Sequence, residues 1–223
     1  MLALSHRGHH LACPENTLAA FAAAWAAGAD GVEVDVRLSA DGRPVLFHDR
    51  AAPGGRPVGE LSAADLGAAA GYPVPTLDEA LERWGDVLWN VEVKTPAALQ
   101  AVGEVIARYA ARRRILASSF WHSLVPPLAA LPGVEGGLVI AGRPRDGEAL
   151  AALVPQAERV RTVIWHYEMV DEELLGQAAA LGLQSWLWGA EGAAEHARCR
   201  ALAGAGLAAV ITDRVDLLRP PRA

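Results

Sequence analysis

The chain has 223 residues, 52% of them hydrophobic, with 20 basic against 26 acidic side chains and a formal net charge of −6. That length and apolar content supply a globular core for one large domain. The acidic balance, with a pI near 5.6, excludes a general nucleic-acid binder and a polybasic membrane patch. No charged-then-apolar leader and no apolar run long enough to span a bilayer stands out, so the expectation is a cytoplasmic protein without stable membrane insertion. Cys13 and Cys199 lack metal-ligand spacing and form no disulfide framework, consistent with a reducing compartment. Oligomeric state is left open by the sequence.

Taken in order, Leu2-Ala3-Leu4-Ser5 reads as a short strand ending in His6-Arg7-Gly8. Pro14-Glu15-Asn16-Thr17 opens a predicted helix over 18–27, with Glu15 at its positive end and Gly28 closing it. The next stretch, Gly31-Val-Glu-Val-Asp-Val-Arg37, alternates as a strand, with Val32, Val34 and Val36 on one face and Glu33 and Asp35 on the other. Asp41-Gly42 is a hairpin signal, and 44–47 returns as a short strand before His48-Asp49. The segment 50–71 is short and rich in Gly and Pro, with a helical pattern over 62–70. Thr76 and Glu79 form a capping-box pattern for a helix over 76–84.

From there strands and helices alternate. Strands are predicted over 87–94, 115–120, 136–141, 162–166, 183–188 and 207–212. Helices are predicted over 97–112, 122–131 (interrupted near Pro126-Pro127), 147–156, 171–181, 193–203 and 215–219. With the strands at 2–5 and 31–37 this makes eight strand–helix units, the pattern of an α/β protein folded as a single-domain (β/α)8 TIM barrel. Only a very short insertion follows His48-Asp49. A doubly wound open sheet fits less well, because no Gly-rich dinucleotide fingerprint follows the first strand.

In such a barrel the active site lies at the C-terminal ends of the strands. His6-Arg7 ends the first predicted strand, and Glu33 and Asp35 end the second. His48-Asp49 ends the hairpin return. Asn90, Glu92 and Lys94 alternate along one face near the end of the third strand, His166 ends the sixth, Trp186 and Trp188 lie near the end of the seventh, and Thr212-Asp213 ends the eighth. The N-terminal ends carry almost no charge. Singly, each group has an ordinary reading. An E-x-D pair is usually the wet face of a strand, Glu92 beside Lys94 a same-face ion pair, and Trp186 and Trp188 core or pocket wall. His9 and His10 read as exposed loop residues rather than ligands. Together the pattern is specific. Neighbouring carboxylates on an apolar strand repel each other unless a cation lies between them, and the all-oxygen set Glu33, Asp35 and Glu92 suits Mg²⁺ or Ca²⁺. Two histidines suit acid–base work near neutral pH, and Arg7 and Lys94 offer the positive charge a phosphate needs. Metal, two bases and two cations around an anion describe phosphodiester cleavage.

The segments His6-Arg7-Gly8, Pro14-Glu15-Asn16-Thr17-Leu18, Gly28-Ala29-Asp30-Gly31-Val32-Glu33-Val34-Asp35-Val36, His48-Asp49, Val74-Pro75-Thr76-Leu77-Asp78-Glu79-Ala80-Leu81, Asn90-Val91-Glu92-Val93-Lys94 and Ile211-Thr212-Asp213-Arg214 resemble the glycerophosphodiester phosphodiesterases, barrel enzymes related to phosphatidylinositol-specific phospholipases C. The resemblance runs through nearly the whole chain and is densest before residue 95. It implies His6 and His48 as the acid/base pair, Arg7 as a phosphate-binding residue, Lys94 in contact with the substrate phosphate or a metal ligand, and Glu33, Asp35 and Glu92 holding one divalent cation. His166 and Trp186 complete the candidate substrate-binding set. The implied reaction converts a small glycerophosphodiester to glycerol 3-phosphate and an alcohol. The alternatives are lysophospholipase D-like action on lipid phosphodiesters and a non-catalytic barrel that binds a phosphorylated ligand. Two departures bear on the pocket. The segment after His48-Asp49 is shorter than in many relatives, and Trp186-Leu187-Trp188-Gly189 stands where many have Trp-Thr-Val-Asn.

Overall fold

The computed structural model describes residues 1–11, 13–85, 87–155 and 157–222. Strand β1 (Leu2–His6) pairs in parallel with β2 (Gly31–Leu38), and a short antiparallel return, β3 (Pro44–Leu46), follows through a turn in which Gly42 takes a positive φ of 75°. The parallel series continues through β4 (Leu88–Val93), β5 (Arg114–Ser119), β6 (Val134–Ile140), β7 (Val160–His166), β8 (Gln184–Trp188) and β9 (Leu207–Thr212). Because β9 pairs with β1, the eight parallel strands close into a barrel, with β3 outside it on the edge of β2.

Helices α1 (Leu18–Ala26), α2 (Ala63–Ala70), α3 (Leu77–Arg83), α4 (Leu99–Tyr109), α5 (Val125–Ala129), α6 (Gly147–Leu153), α7 (Glu172–Ala180) and α8 (Ala193–Ala203) run between the strands. Their starts follow local chemistry. Thr17 accepts from the Ala20 amide at 3.2 Å, and Thr76 and Glu79 form the predicted capping box. Pro126 and Pro127 sit in the first turn of α5, where a missing N–H costs nothing, so they start a helix rather than kink one. The helix predicted over 147–156 ends at Leu153, and Gln156 lies outside the described residues. The last predicted helix is a 3₁₀ turn over Val215–Leu217. No helix among the described residues is long and apolar enough to cross a membrane.

Strand alternation divides the core in two. Val32, Val34, Val36, Trp89, Val91 and Val93 point outward against the helices, with Phe21, Leu77 and Ile106. Leu4, Leu116, Val139, Ile164, Trp186 and Ile211 fill the barrel interior. That apolar plug floors the C-terminal mouth. The segment after β3 builds a small lobe of its own around Phe47, Val58, Leu61 and Leu66, which makes one wall of the mouth.

Candidate active site

The site begins with register. Strands β2 and β4 pair so that Glu33 lies opposite Asn90 and Asp35 opposite Glu92. The outward valines between them force all four polar side chains inward. Strand β2 runs on to Leu38 because β3 pairs with its end, so the carboxylates sit mid-strand rather than at its tip. Glu33, Asp35 and Glu92 each offer an oxygen, and these atoms lie within 4.8 Å of one another.

Their electrostatics differ. Burial, reinforced by the charges of Asp35 and Glu92, pushes the Glu33 carboxyl well above the ordinary glutamate range. Burial also raises Glu92, against the pull of Lys94. Burial opposes ionisation of Asp35 too, but Lys94 and Arg7 outweigh it and hold that carboxyl below its usual value. Lys94 Nζ lies 2.6 Å from Glu92 Oε1 and 3.2 Å from Asp35 Oδ1. Arg7 Nε is 3.1 Å from Asp35 Oδ2, a charge contact in which the N–H does not point at the oxygen. The Arg7 guanidinium also bonds Glu15. Asn16 clamps Asp35 twice, donating from Nδ2 to Oδ2 at 2.9 Å and accepting the Asp35 amide at 3.2 Å. Glu33 Oε2 accepts the Arg7 amide at 3.2 Å, while its Oε1 is buried with no hydrogen-bond partner among the described residues. An orphaned buried carboxylate oxygen, in an all-oxygen cluster with two raised pKa values, fits a hard divalent cation.

Two histidines face this cluster. His6 Nδ1 lies 2.8 Å from Asp213 Oδ1, and His10 Nε2 lies 3.1 Å from the same oxygen. Burial works against ionisation of Asp213, but the bonds from His6 and His10 hold it far below the usual carboxylate range. An ionised carboxylate only accepts, so both imidazoles donate to it. The donated proton on Nδ1 leaves His6 Nε2 facing inward, 3.9 Å from Glu33 Oε2. Across the mouth, His48 Nδ1 lies 2.9 Å from Asp49 Oδ1, and the His48 carbonyl accepts from Arg37 Nε at 2.8 Å.

One pocket of about 80 Å³ brings together His6, Arg7, Glu33, Asp35, His48, Glu92 and Lys94, walled by Phe120 and Trp188. Two expected residues are elsewhere. Trp186 is 4% exposed in the interior plug, one pleat below Trp188, which takes the pocket wall in its place. His166 is not on the pocket wall; its ring stacks edge-on against Trp188 at 4.6 Å. His10 is half-buried against Asp213 rather than an exposed loop residue. Nothing in its sequence context announces this, because the contact depends on the irregular loop after β1 folding back to the end of β9. Asn16 was legible in the helix start and in the resembling segment 14–18, but with no role of its own.

A model of the glycerophosphoryl diester phosphodiesterase family matches residues 6–217. A glycerophosphodiester phosphodiesterase of Caldanaerobacter subterraneus is 37% identical over 142 residues, covering 54% of this chain and 58% of that protein. The chain spans about half the length of the curated relatives it matches. The crystal structure of a glycerophosphodiester phosphodiesterase from Thermotoga maritima superimposes with a TM-score of 0.83 at 28% identity, covering 98% of this chain and 96% of that one. An Oleispira antarctica phosphodiesterase in complex with the product sn-glycerol-3-phosphate superimposes with a TM-score of 0.80 at 26% identity, covering 97% and 94%.

Proposed function

The chain belongs to the glycerophosphoryl diester phosphodiesterase family, and from the geometry of its site we propose that it hydrolyses small glycerophosphodiesters to glycerol 3-phosphate and an alcohol. The observation that carries this reading is the buried cluster Glu33, Asp35 and Glu92 set between His6 and His48 in one pocket. A divalent cation, Mg²⁺ or Ca²⁺, held by those three carboxylates would supply polarisation of the phosphoryl oxygens.

The side chains supply the rest. Arg7 and Lys94 bring fixed positive charge to the phosphate position, and their pairing with Asp35 holds them there. His6 takes on Nε2 the proton of the attacking oxygen, while Asp213 keeps Nδ1 protonated and stabilises the imidazolium. That oxygen is either a water, which gives glycerol 3-phosphate directly, or the glycerol 2-hydroxyl, which gives a cyclic phosphate that a water then opens. As the new P–O bond forms, the bond to the leaving alcohol breaks, and His48 gives its proton to that oxygen. Asp49, 2.9 Å from Nδ1, orients the His48 ring. Asn16 and Glu15 position Asp35 and Arg7 without touching the substrate.

A second reading, cleavage of lysophospholipids, is favoured by one feature: Phe120 and Trp121 are 42% and 54% exposed beside the mouth. One assay separates the two. Purified protein is treated with EDTA, given back Mg²⁺, Ca²⁺ or Mn²⁺, and offered glycerophosphocholine, glycerophosphoethanolamine and lysophosphatidylcholine. Metal-restored release of glycerol 3-phosphate from the first two supports the proposed reaction. Release of choline from lysophosphatidylcholine alone supports the second. No release from any of them, with glycerol 3-phosphate still binding, leaves a non-catalytic phosphate-binding barrel.

A further inference from the structure

Beside the catalytic pocket, and sharing Glu92, Lys94 and Phe120 with it, lies a larger groove of about 530 Å³. The catalytic pocket, at about 80 Å³, is small beside it. The groove's charge runs against that of the chain. Its ionisable lining is Arg37, Arg50, Lys94 and Glu92, three cations facing one carboxylate, in a protein whose net charge is −6. The single carboxylate is already bonded by Lys94 at 2.6 Å. Of the other carboxylates whose charge reaches Arg37, Asp35 is paired with Lys94 and Arg7, and Asp49 is engaged with His48.

The two arginines are uncommitted. Arg37 spends its Nε on the His48 carbonyl, and its terminal nitrogens make no hydrogen bond among the described residues. Arg50 is exposed, and neither arginine forms an ion pair with a carboxylate among the described residues. Guanidinium groups in this state are suited to bidentate recognition of phosphate or carboxylate. The groove also lies on the side of His48, since Arg37 is bonded to that residue and Arg50 follows it closely in sequence. His48 is the group assigned above to protonate the departing alcohol, so the alcohol leaves toward Arg37 and Arg50. The Phe120 face is not free for a quaternary ammonium, because Lys94 Nζ already lies 5.8 Å from its ring centre.

We propose that this groove is the leaving-group subsite and that it selects alcohols carrying a second anionic group, a phosphate or a carboxylate, over alcohols carrying a fixed positive charge. This rests on the hydrolytic reading of the site and adds to it the class of substrate preferred. Trp121, exposed on the groove wall, offers a flat face to the carbon skeleton of such an alcohol.

The test compares kcat/KM for glycerophosphoinositol 4-phosphate, glycerophosphoinositol and glycerophosphocholine in the wild type, Arg50→Gln and Arg50→Glu. In parallel, calorimetry in Mg²⁺ measures binding of inositol 4-phosphate, which needs no turnover. The expected result is a preference of about fivefold or more for the phosphorylated inositol diester over its unphosphorylated counterpart, expressed mainly in KM. Arg50→Gln should reduce it, and Arg50→Glu should abolish it and raise the relative rate on glycerophosphocholine. Diesters cut without that preference, or with a preference that Arg50→Glu leaves unchanged, would overturn the subsite and leave the hydrolytic reading standing. No diester cut, but inositol 4-phosphate bound by the wild type and not by Arg50→Glu, would support the anion site and overturn the hydrolytic reading. Neither turnover nor binding would overturn both.

Discussion

Asp213 Oδ1 lies 2.8 Å from His6 Nδ1, so the residue just after the last barrel strand orients the residue that ends the first. Barrel closure between β1 and β9 is what brings them together. Because Asp213 is held ionised, it fixes which imidazole nitrogen of His6 carries the proton. Asp213→Asn keeps the shape but admits the other tautomer. The expected outcome is a loss of about 10²-fold in kcat/KM with divalent-cation affinity unchanged, measured by steady-state kinetics and calorimetry on the same preparation. A parallel loss of cation affinity would show that Asp213 supports the metal cluster rather than the base.

Glu33 carries an orphaned buried oxygen and a strongly raised pKa, so in metal-free protein it is a burden on the fold. Glu33→Gln should therefore match or exceed the wild type in thermal stability under chelation, yet gain nothing from added Mg²⁺ or Ca²⁺. The wild type should gain stability with either ion by linkage. Thermal denaturation of both proteins with and without the ion checks this; equal stabilisation of the variant would remove Glu33 from the metal site.

The sign of the pH dependence follows from the same groups. Burial and its acidic neighbours raise Glu33 above its ordinary value of 4.5, so between that value and its raised one the native state binds more protons than the unfolded chain. Its contribution to stability therefore falls as pH rises through that window. Asp35 works the other way: burial opposes its ionisation, but Lys94 and Arg7 hold it below 3.8, so its contribution is present above 3.8 and lost as pH falls. In chelator, the Tm of Glu33→Gln should gain on that of the wild type as pH rises from about 4.5. A difference that shrinks with rising pH would contradict the assignment. Cation binding to the wild type should release protons in the same window, which calorimetry in buffers of different ionisation enthalpy reads directly.

Gly8 follows His6-Arg7 with a φ of +80°, and a Cβ there would meet the backbone carbon and the Cβ of Ala20, each at 2.7 Å. Strain and contact act together, so Gly8→Ala should cost about 1–3 kcal/mol in chemical denaturation and lower turnover by displacing the loop. Arg7 and Asn16, both non-glycine residues at φ of 55°, flank the same turn. A variant with wild-type stability and activity would show that the loop gives way easily.

Much of this was legible in the sequence because period-two alternation is a strong signal. Alternating valines fixed which face of β2 carries Glu33 and Asp35, and the same rule put Asn90, Glu92 and Lys94 on one face of their strand; that Asn90 and Glu92 lie opposite Glu33 and Asp35 is a matter of register. Alternation gives the face of a residue but not its depth along the barrel. Trp186 and Trp188 share a face, and only the pleat height, set by register with β7 and β9, decides that Trp186 belongs to the plug and Trp188 to the pocket. His10 was unreadable for a different reason. Its partner Asp213 is 203 positions away, and the loop that joins them has no periodicity. Asp213 itself was visible at the end of its strand, but its role depends on the closing pair of strands.

The dependence on a cation held by Glu33 is read from glycerol 3-phosphate release from glycerophosphoethanolamine as a function of free Mg²⁺ or Ca²⁺, starting from chelated protein, for the wild type and Glu33→Ala. The chelated wild type should show no turnover and a saturable return with a single ion bound per chain. Glu33→Ala should show no return at any concentration of ion. Turnover that survives chelation, or that Glu33→Ala recovers with added ion, would contradict a metal-dependent mechanism built on Glu33, Asp35 and Glu92.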